Sequence, residues 1–260
     1  MSKNLNKLFL MLENNEACAE AEEDLFGFLY NSQQPSARKY KEEDIELIAF
    51  LYSSGFNPHA LDKSARRLFE LSPNAFTAFT HAWMSELPIE AEMLSFGRKI
   101  LAAQDHDKAE KVFSDFVDDD VRTVLNAARK VQFEVHRMYG LLRFFPLSTG
   151  IYVAQCAPDF LILPMLGEYF TARFGETPWA IIDEKRGLIL SRRSSEPGLP
   201  LCTKIQVINV LPMENSVCNA DEWEDLWRHY HKTINNESRN NPNLQRQLMP
   251  KRYWKYLPEV

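Results

Sequence analysis

From Leu5 to about Asp120, apolar residues recur three and four positions apart, the period of helices that bury one side, with none of the strict alternation of a strand. Proline and asparagine set the phrasing. Asn57-Pro58 opens a predicted helix over 57–71, Ser72-Pro73 opens the next with Phe76, Phe79, Ala82 and Trp83 on one side, and Pro88 opens a third to position 103. Proline is harmless at these starts because a first-turn N–H has no acceptor inside the helix. The stretch 105–120 is acidic, and Asp118-Asp119-Asp120 stand where a helix N-terminus favours negative charge. The following pattern predicts one long helix over 121–145, free of proline and with a single glycine, Gly140.

After Pro146 the pattern shifts. Residues 150–154, 179–183, 187–191 and 204–210 read as strands, 161–174 as a helix, and Glu184-Lys185-Arg186-Gly187 as the loop of an antiparallel hairpin. From Asp221 the chain reads as helical again, ending in an asparagine-rich and then basic tail. The expected fold class is α+β: a helical N-terminal lobe over 1–120, then a domain over 121–260 with a small, mainly antiparallel sheet packed against helices.

Composition sharpens this picture. Apolar residues at 45% and charged ones at 25% are ordinary globular values, while 17 Phe against nine Gly favour packed helices over a loop-rich β fold. A net charge of −6 argues against a protein that coats nucleic acid over its whole surface, because phosphate binding needs a positive field. That charge is segregated: from Arg228 to the end, seven Lys or Arg stand against two Glu. The four cysteines, Cys18, Cys156, Cys202 and Cys218, form no zinc-like spacing and are expected to be free thiols in a reducing cytoplasm. The N-terminal apolar run is too short for a signal sequence, and no later segment approaches a membrane span, so a cytoplasmic protein without a membrane partner is expected.

The long helix carries the most information. At 100° per residue, Val131, Val135, Met138, Leu142 and Phe145 fall within about 80° of one another, a core-facing stripe. Arg129, Gln132, His136, Gly140 and Arg143 fall on the opposite side. A merely solvated face would be rich in Lys and Glu. Gly140 costs about 1 kcal/mol relative to alanine, which a close approach by a ligand or another segment would offset. The alternative is a helix packed on both sides.

Ordered motifs then follow: Glu134-x-His136-Arg137-Met138-x-Gly140-x-x-Arg143-Phe144, Pro158-Asp159, Tyr169-Phe170-x-x-Arg173-Phe174, Ile182-Asp183, Arg186-Gly187, Leu226-Trp227-x-x-Tyr230, and Met249-Pro250-x-Arg252-Tyr253-Trp254-x-x-Leu257-Pro258. Over about 121–260 this series resembles a bacterial family of DNA-metabolism or DNA-repair proteins of unknown biochemical activity. Members often occur beside a radical S-adenosylmethionine protein, and in some the domain is fused to a uracil-DNA glycosylase-like module. The resemblance implies a partner of one of those kinds and DNA, single-stranded or damaged, as the ligand. The chain has no CxxxCxxC cluster motif, so no cofactor of its own is expected.

Within that frame, Arg129, Gln132, Arg137, Gly140, Arg143, Arg173 and Arg186 are candidates for nucleic-acid contact, arginine because its fork matches phosphate oxygens. For Arg173 and Arg186 the competing reading is a structural salt bridge with Asp159 or Asp183. In the tail, Lys251, Arg252 and Lys255 interleave with Tyr253, Trp254 and Tyr256, which suits stacking on unpaired bases with cations on phosphates, or docking of the C-terminus by its aromatic side. His136, Asp159 and Asp183 are the candidate catalytic residues for a hydrolase or glycosylase-like enzyme, and an adaptor whose acidic N-terminal lobe recruits a partner is a third reading. No metal-ligand spacing, GxSxG, P-loop or GxGxxG occurs.

Overall fold

The computed structural model describes residues 42–53, 55–147, 150–193, 202–207 and 241–257, together with the separate helical positions 5, 8, 9, 12, 226, 229, 230 and 232–234. The expected helix from Asp221 lies mostly outside these residues, as do Cys18, Cys218 and the last three positions of the expected strand 204–210. The fold is α+β. It divides into two compact units, Met1–Phe133 and Glu134–Val260.

The first unit is helical: α1 (Glu42–Leu51), a 3-10 turn (Pro58–Ala60), α2 (Lys63–Leu71), α3 (Pro73–Met84), α4 (Glu90–Leu101) and α5 (His106–Phe113), followed by α6 (Asp119–Leu141), in which the division falls. The starts obey the expected capping chemistry. The Ser72 side chain accepts the Ala75 N–H at 3.0 Å ahead of Pro73, and the Asp105 side chain accepts the Lys108 N–H at 2.9 Å. Asp118 accepts the N–H groups of Asp120 and Val121 at 2.9 and 3.2 Å, satisfying donors that open α6. The core is aromatic: Phe9 stacks on Phe76 and Phe79 with centroids 5.9 and 5.3 Å apart.

The second unit holds five strands in the order β1 (Phe144–Pro146), β2 (Tyr152–Cys156), β3 (Trp179–Asp183), β4 (Leu188–Arg193) and β5 (Cys202–Val207). Three neighbouring pairs are antiparallel, and β2 runs parallel to β3 through the crossover helix α7 (Leu163–Phe174). The long helix stops at Leu141 instead of continuing to 145, because Phe144 to Pro146 pair with β2. Phe145 therefore belongs to the sheet, packed against Val153, Ala180 and Ile182 on one face. The other face carries Trp179, Ile181 and Leu190 under α7, where a Cβ on Gly167 would rest 3.7 Å from Leu190 and Thr203. The β3–β4 hairpin closes through the expected loop: Gly187 takes φ 64° and returns its N–H to the Asp183 carbonyl at 2.9 Å. After β5 come α8 (Pro242–Leu248) and a 3-10 segment (Lys251–Tyr256). No helix among the described residues is long and apolar enough to cross a membrane.

Candidate functional site

In the second unit the polar chemistry concentrates where β2 and β3 end and the C-terminal 3-10 segment lies. Parallel pairing puts Cys156 beside Asp183 at the carboxyl ends of their strands. Asp183 is fully buried and binds the Arg186 guanidinium at 2.8 Å, while Arg186 also donates to the carbonyls of Pro158 at 3.1 Å and Asp159 at 2.8 Å. Burial pushes the Asp183 carboxyl upward, and Arg186 opposes that push. Cys156 is buried, with its thiol raised well above the usual range by desolvation and by nearby Asp183; its Sγ donates to the Ile182 carbonyl at 3.5 Å. Such a thiol packs and does not attack.

Glu134, only 1% exposed, is the second centre. Its two carboxylate oxygens accept the backbone N–H groups of Asp159 at 2.9 Å and Phe160 at 2.8 Å, and Oε1 also accepts the buried Tyr253 hydroxyl. Burial, then the Glu134 carboxylate, raise the Tyr253 phenol. Arg252 adds a salt bridge to Asp159 at 2.5 Å and approaches Glu134 at 3.7 Å. Further along, Lys255 and the Tyr256 hydroxyl both hold Glu184, at 3.0 and 2.6 Å. The tail is thus docked by its tyrosines, with Glu134 of α6 and Glu184 of the β3–β4 loop as receptors.

A third feature is aromatic and lies at the surface. Tyr139 on α6 and Tyr169 on α7 stack with centroids 4.1 Å apart; a second group, Phe144, Phe174 and Tyr152 at 4.7 and 5.6 Å, joins them through Phe170, 5.0 Å from Tyr169 and 5.1 Å from Phe144. Behind them Phe170 and Trp179 are buried, whereas these outer rings stay half-buried or, for Tyr169, exposed.

The residues singled out in the sequence are divided among these places. Arg186 and Tyr253 are internal, and Arg252 and Lys255 are in ion pairs. Lys251 lies 5.9 Å from the Trp254 ring centroid, and Trp254 is held by its own N–H to the Met249 carbonyl at 2.8 Å. Arg143 donates to the Gly140 carbonyl at 2.7 Å, closing the helix end. Arg137 is half-buried and Arg173 exposed; among the described residues neither forms an ion pair. In the first unit, the Arg129 guanidinium covers the Phe133 ring at 5.3 Å, and Gln132 bonds the His81 ring nitrogen at 3.2 Å.

Three of these settings bear on the alternatives left open by the sequence. His136 is exposed, and no hydrogen bond joins it to Asp159 or Asp183, whose carboxylates are engaged by Arg252 and Arg186. The Asp183–Arg186 salt bridge is the structural reading of Arg186, while Arg173 takes no part in one among the described residues. Gly140 has nothing within 4 Å of where a Cβ would stand, so no described segment makes the close approach its glycine suggested.

A family model described as a domain of unknown function, DUF4130, matches residues 94–259. The chain belongs to the DUF4130 family. No curated protein and no solved structure matches it. The buried Glu134, Asp183, Arg186 and Tyr253 of this DUF4130 domain are explained by folding and tail docking. Sequence reading missed the roles of Glu184, Tyr256 and the outer aromatic row. A signal for part of the row was present: in Tyr169-x-x-x-Arg173 the ring and the cation are four apart and share a helix face.

Proposed function

We propose that this chain is a nucleic-acid-binding protein of DNA metabolism, an accessory to a separate enzyme that carries the catalytic cofactor. The observation that carries the reading is the placement of Arg173, exposed, without an ion pair among the described residues, and one helical turn from the exposed Tyr169 ring. A cation left without a carboxylate beside an open aromatic ring is the pairing that phosphate and base together require. Lys251 against Trp254 repeats it on a smaller scale. The accessory role is supported by the occupation of the two candidate carboxylates: Asp183 is held by Arg186 and Asp159 by Arg252. The resemblance in the ordered motifs supplies the process.

Fluorescence anisotropy of the full chain with labelled single-stranded, duplex and mismatched DNA at low ionic strength tests the reading, since the electrostatic contribution is largest there. Binding that falls linearly in log K against log salt is expected. Absence of binding to every DNA at low salt overturns the proposal.

A further inference from the structure

Helices that cover a sheet normally turn their aromatic residues inward, and Phe170 on α7 does so, 2% exposed against the fully buried Trp179. The row in front of it does not. Tyr139, Phe144, Tyr152 and Phe174 remain half-buried, and Tyr169 is 36% exposed. The rings of Tyr139 and Tyr169 are stacked with 25° between their planes, and the Phe144–Phe174–Tyr152 rings, joined to them through Phe170, lie toward the β1–β2 edge.

Tyr169 has an arginine four residues later on α7, Arg173, so that ring shares a helix face with a cation; Arg143, four residues after Tyr139, stands just past the end of α6. Arg143 is anchored to the Gly140 carbonyl, which fixes its position at the helix end. Glu168 is the opposing charge beside the row; after burial, it is the next cause of the raised Tyr139 phenol. It lies about 140° around α7 from Arg173, so the Arg173 side of the row is the positive one.

We propose that this row is a stacking platform for unpaired bases of single-stranded DNA, with Arg173 and Arg143 on the flanking phosphates. The platform deepens the nucleic-acid reading above and rests on it. Stacking needs a free base face, which a duplex conceals, so the surface selects single strands without reading their sequence. Aromatic rings supply the sequence-tolerant part and the arginines the salt-dependent part.

The test uses the full chain and an oligonucleotide carrying 2-aminopurine, read by base fluorescence and by anisotropy, against its duplex form and the matching RNA. The wild type is expected to bind the single strand at least about tenfold more tightly than the duplex and to change the 2-aminopurine signal. Tyr169→Ala is expected to weaken binding about tenfold, Tyr169→Phe to retain it, and Arg173→Gln to lower the salt slope by about 0.7. Circular dichroism confirms that the variants fold, as the partly exposed Tyr169 should allow. Equal affinity for duplex, a preference for RNA, or Tyr169→Ala binding like wild type overturns the platform while leaving the broader reading in place. A wild type that binds no DNA overturns both. Sedimentation showing that Tyr169→Ala dissociates a dimer also overturns the platform, making the row an interface between copies.

Discussion

Replacing Glu134 by alanine should be among the most damaging single changes in the second unit. The carboxylate is 1% exposed and satisfies two backbone N–H groups, at 2.9 and 2.8 Å, as well as the Tyr253 hydroxyl. A hydrogen bond to a charged group contributes about 1.5–3 kcal/mol, and a buried donor left without an acceptor costs about 1–3 kcal/mol. Water can reach part of the vacated space past the half-buried Asp159, so the sum falls short of full additivity, and about 3–5 kcal/mol is expected. Two milder changes calibrate it. Tyr253→Phe removes one hydroxyl and should cost about 1–2 kcal/mol. Glu134→Gln keeps the shape but offers one carbonyl to two amide donors, and should fall between the other two. Urea denaturation followed by tryptophan fluorescence gives the three values, and hydrogen exchange should show faster opening of 251–257 in each variant. Glu134→Ala within about 1 kcal/mol of wild type, or Tyr253→Phe costing more than it, would refute this account of the buried carboxylate.

Arg186→Leu leaves the fully buried Asp183 unpaired and frees two carbonyls, and should cost about 3–5 kcal/mol; adding Asp183→Asn should recover part of the loss in a double-mutant cycle, and a fully additive cycle would contradict the pairing. His81 in the first unit is pushed down to about 4 by burial, so the unfolded chain takes up a proton near 6.5 that the folded chain refuses. Stability should therefore decline as pH falls from about 6.5 to 4, by roughly 3 kcal/mol in all, and His81→Gln should flatten that part of the denaturation-versus-pH curve; an unchanged curve would count against it. Gly140→Ala should stabilise by about 0.5–1 kcal/mol, since the added methyl meets nothing and glycine is a poor helix former; a lower melting temperature would reveal a contact at that face.

Much of the architecture was legible because it depends on local chemistry. Ser72-Pro73, Asp105 and Asp118 mark helix starts through bonds made within three residues, and Glu184–Gly187 closes a hairpin for the same kind of reason. The apolar stripe Val131, Val135, Met138 and Leu142 is buried as its spacing requires. The end of α6 was misjudged because Phe144 and Phe145 continue a helical pattern, and only pairing with β2 turns them into a strand.

The site residues divide along the same line. The sequence by itself determined which groups are chemically capable: arginines beside aromatics and a basic tail. Only tertiary structure decided which of them are occupied. Arg252 meets Asp159 from the far end of the chain, and Tyr253 meets Glu134 across 119 positions. An ion pair or a buried hydroxyl depends on where remote segments come to lie, and the large desolvation cost of leaving such groups unpaired makes that placement decisive. Arg173 and the outer aromatic row are what that sorting leaves at the surface.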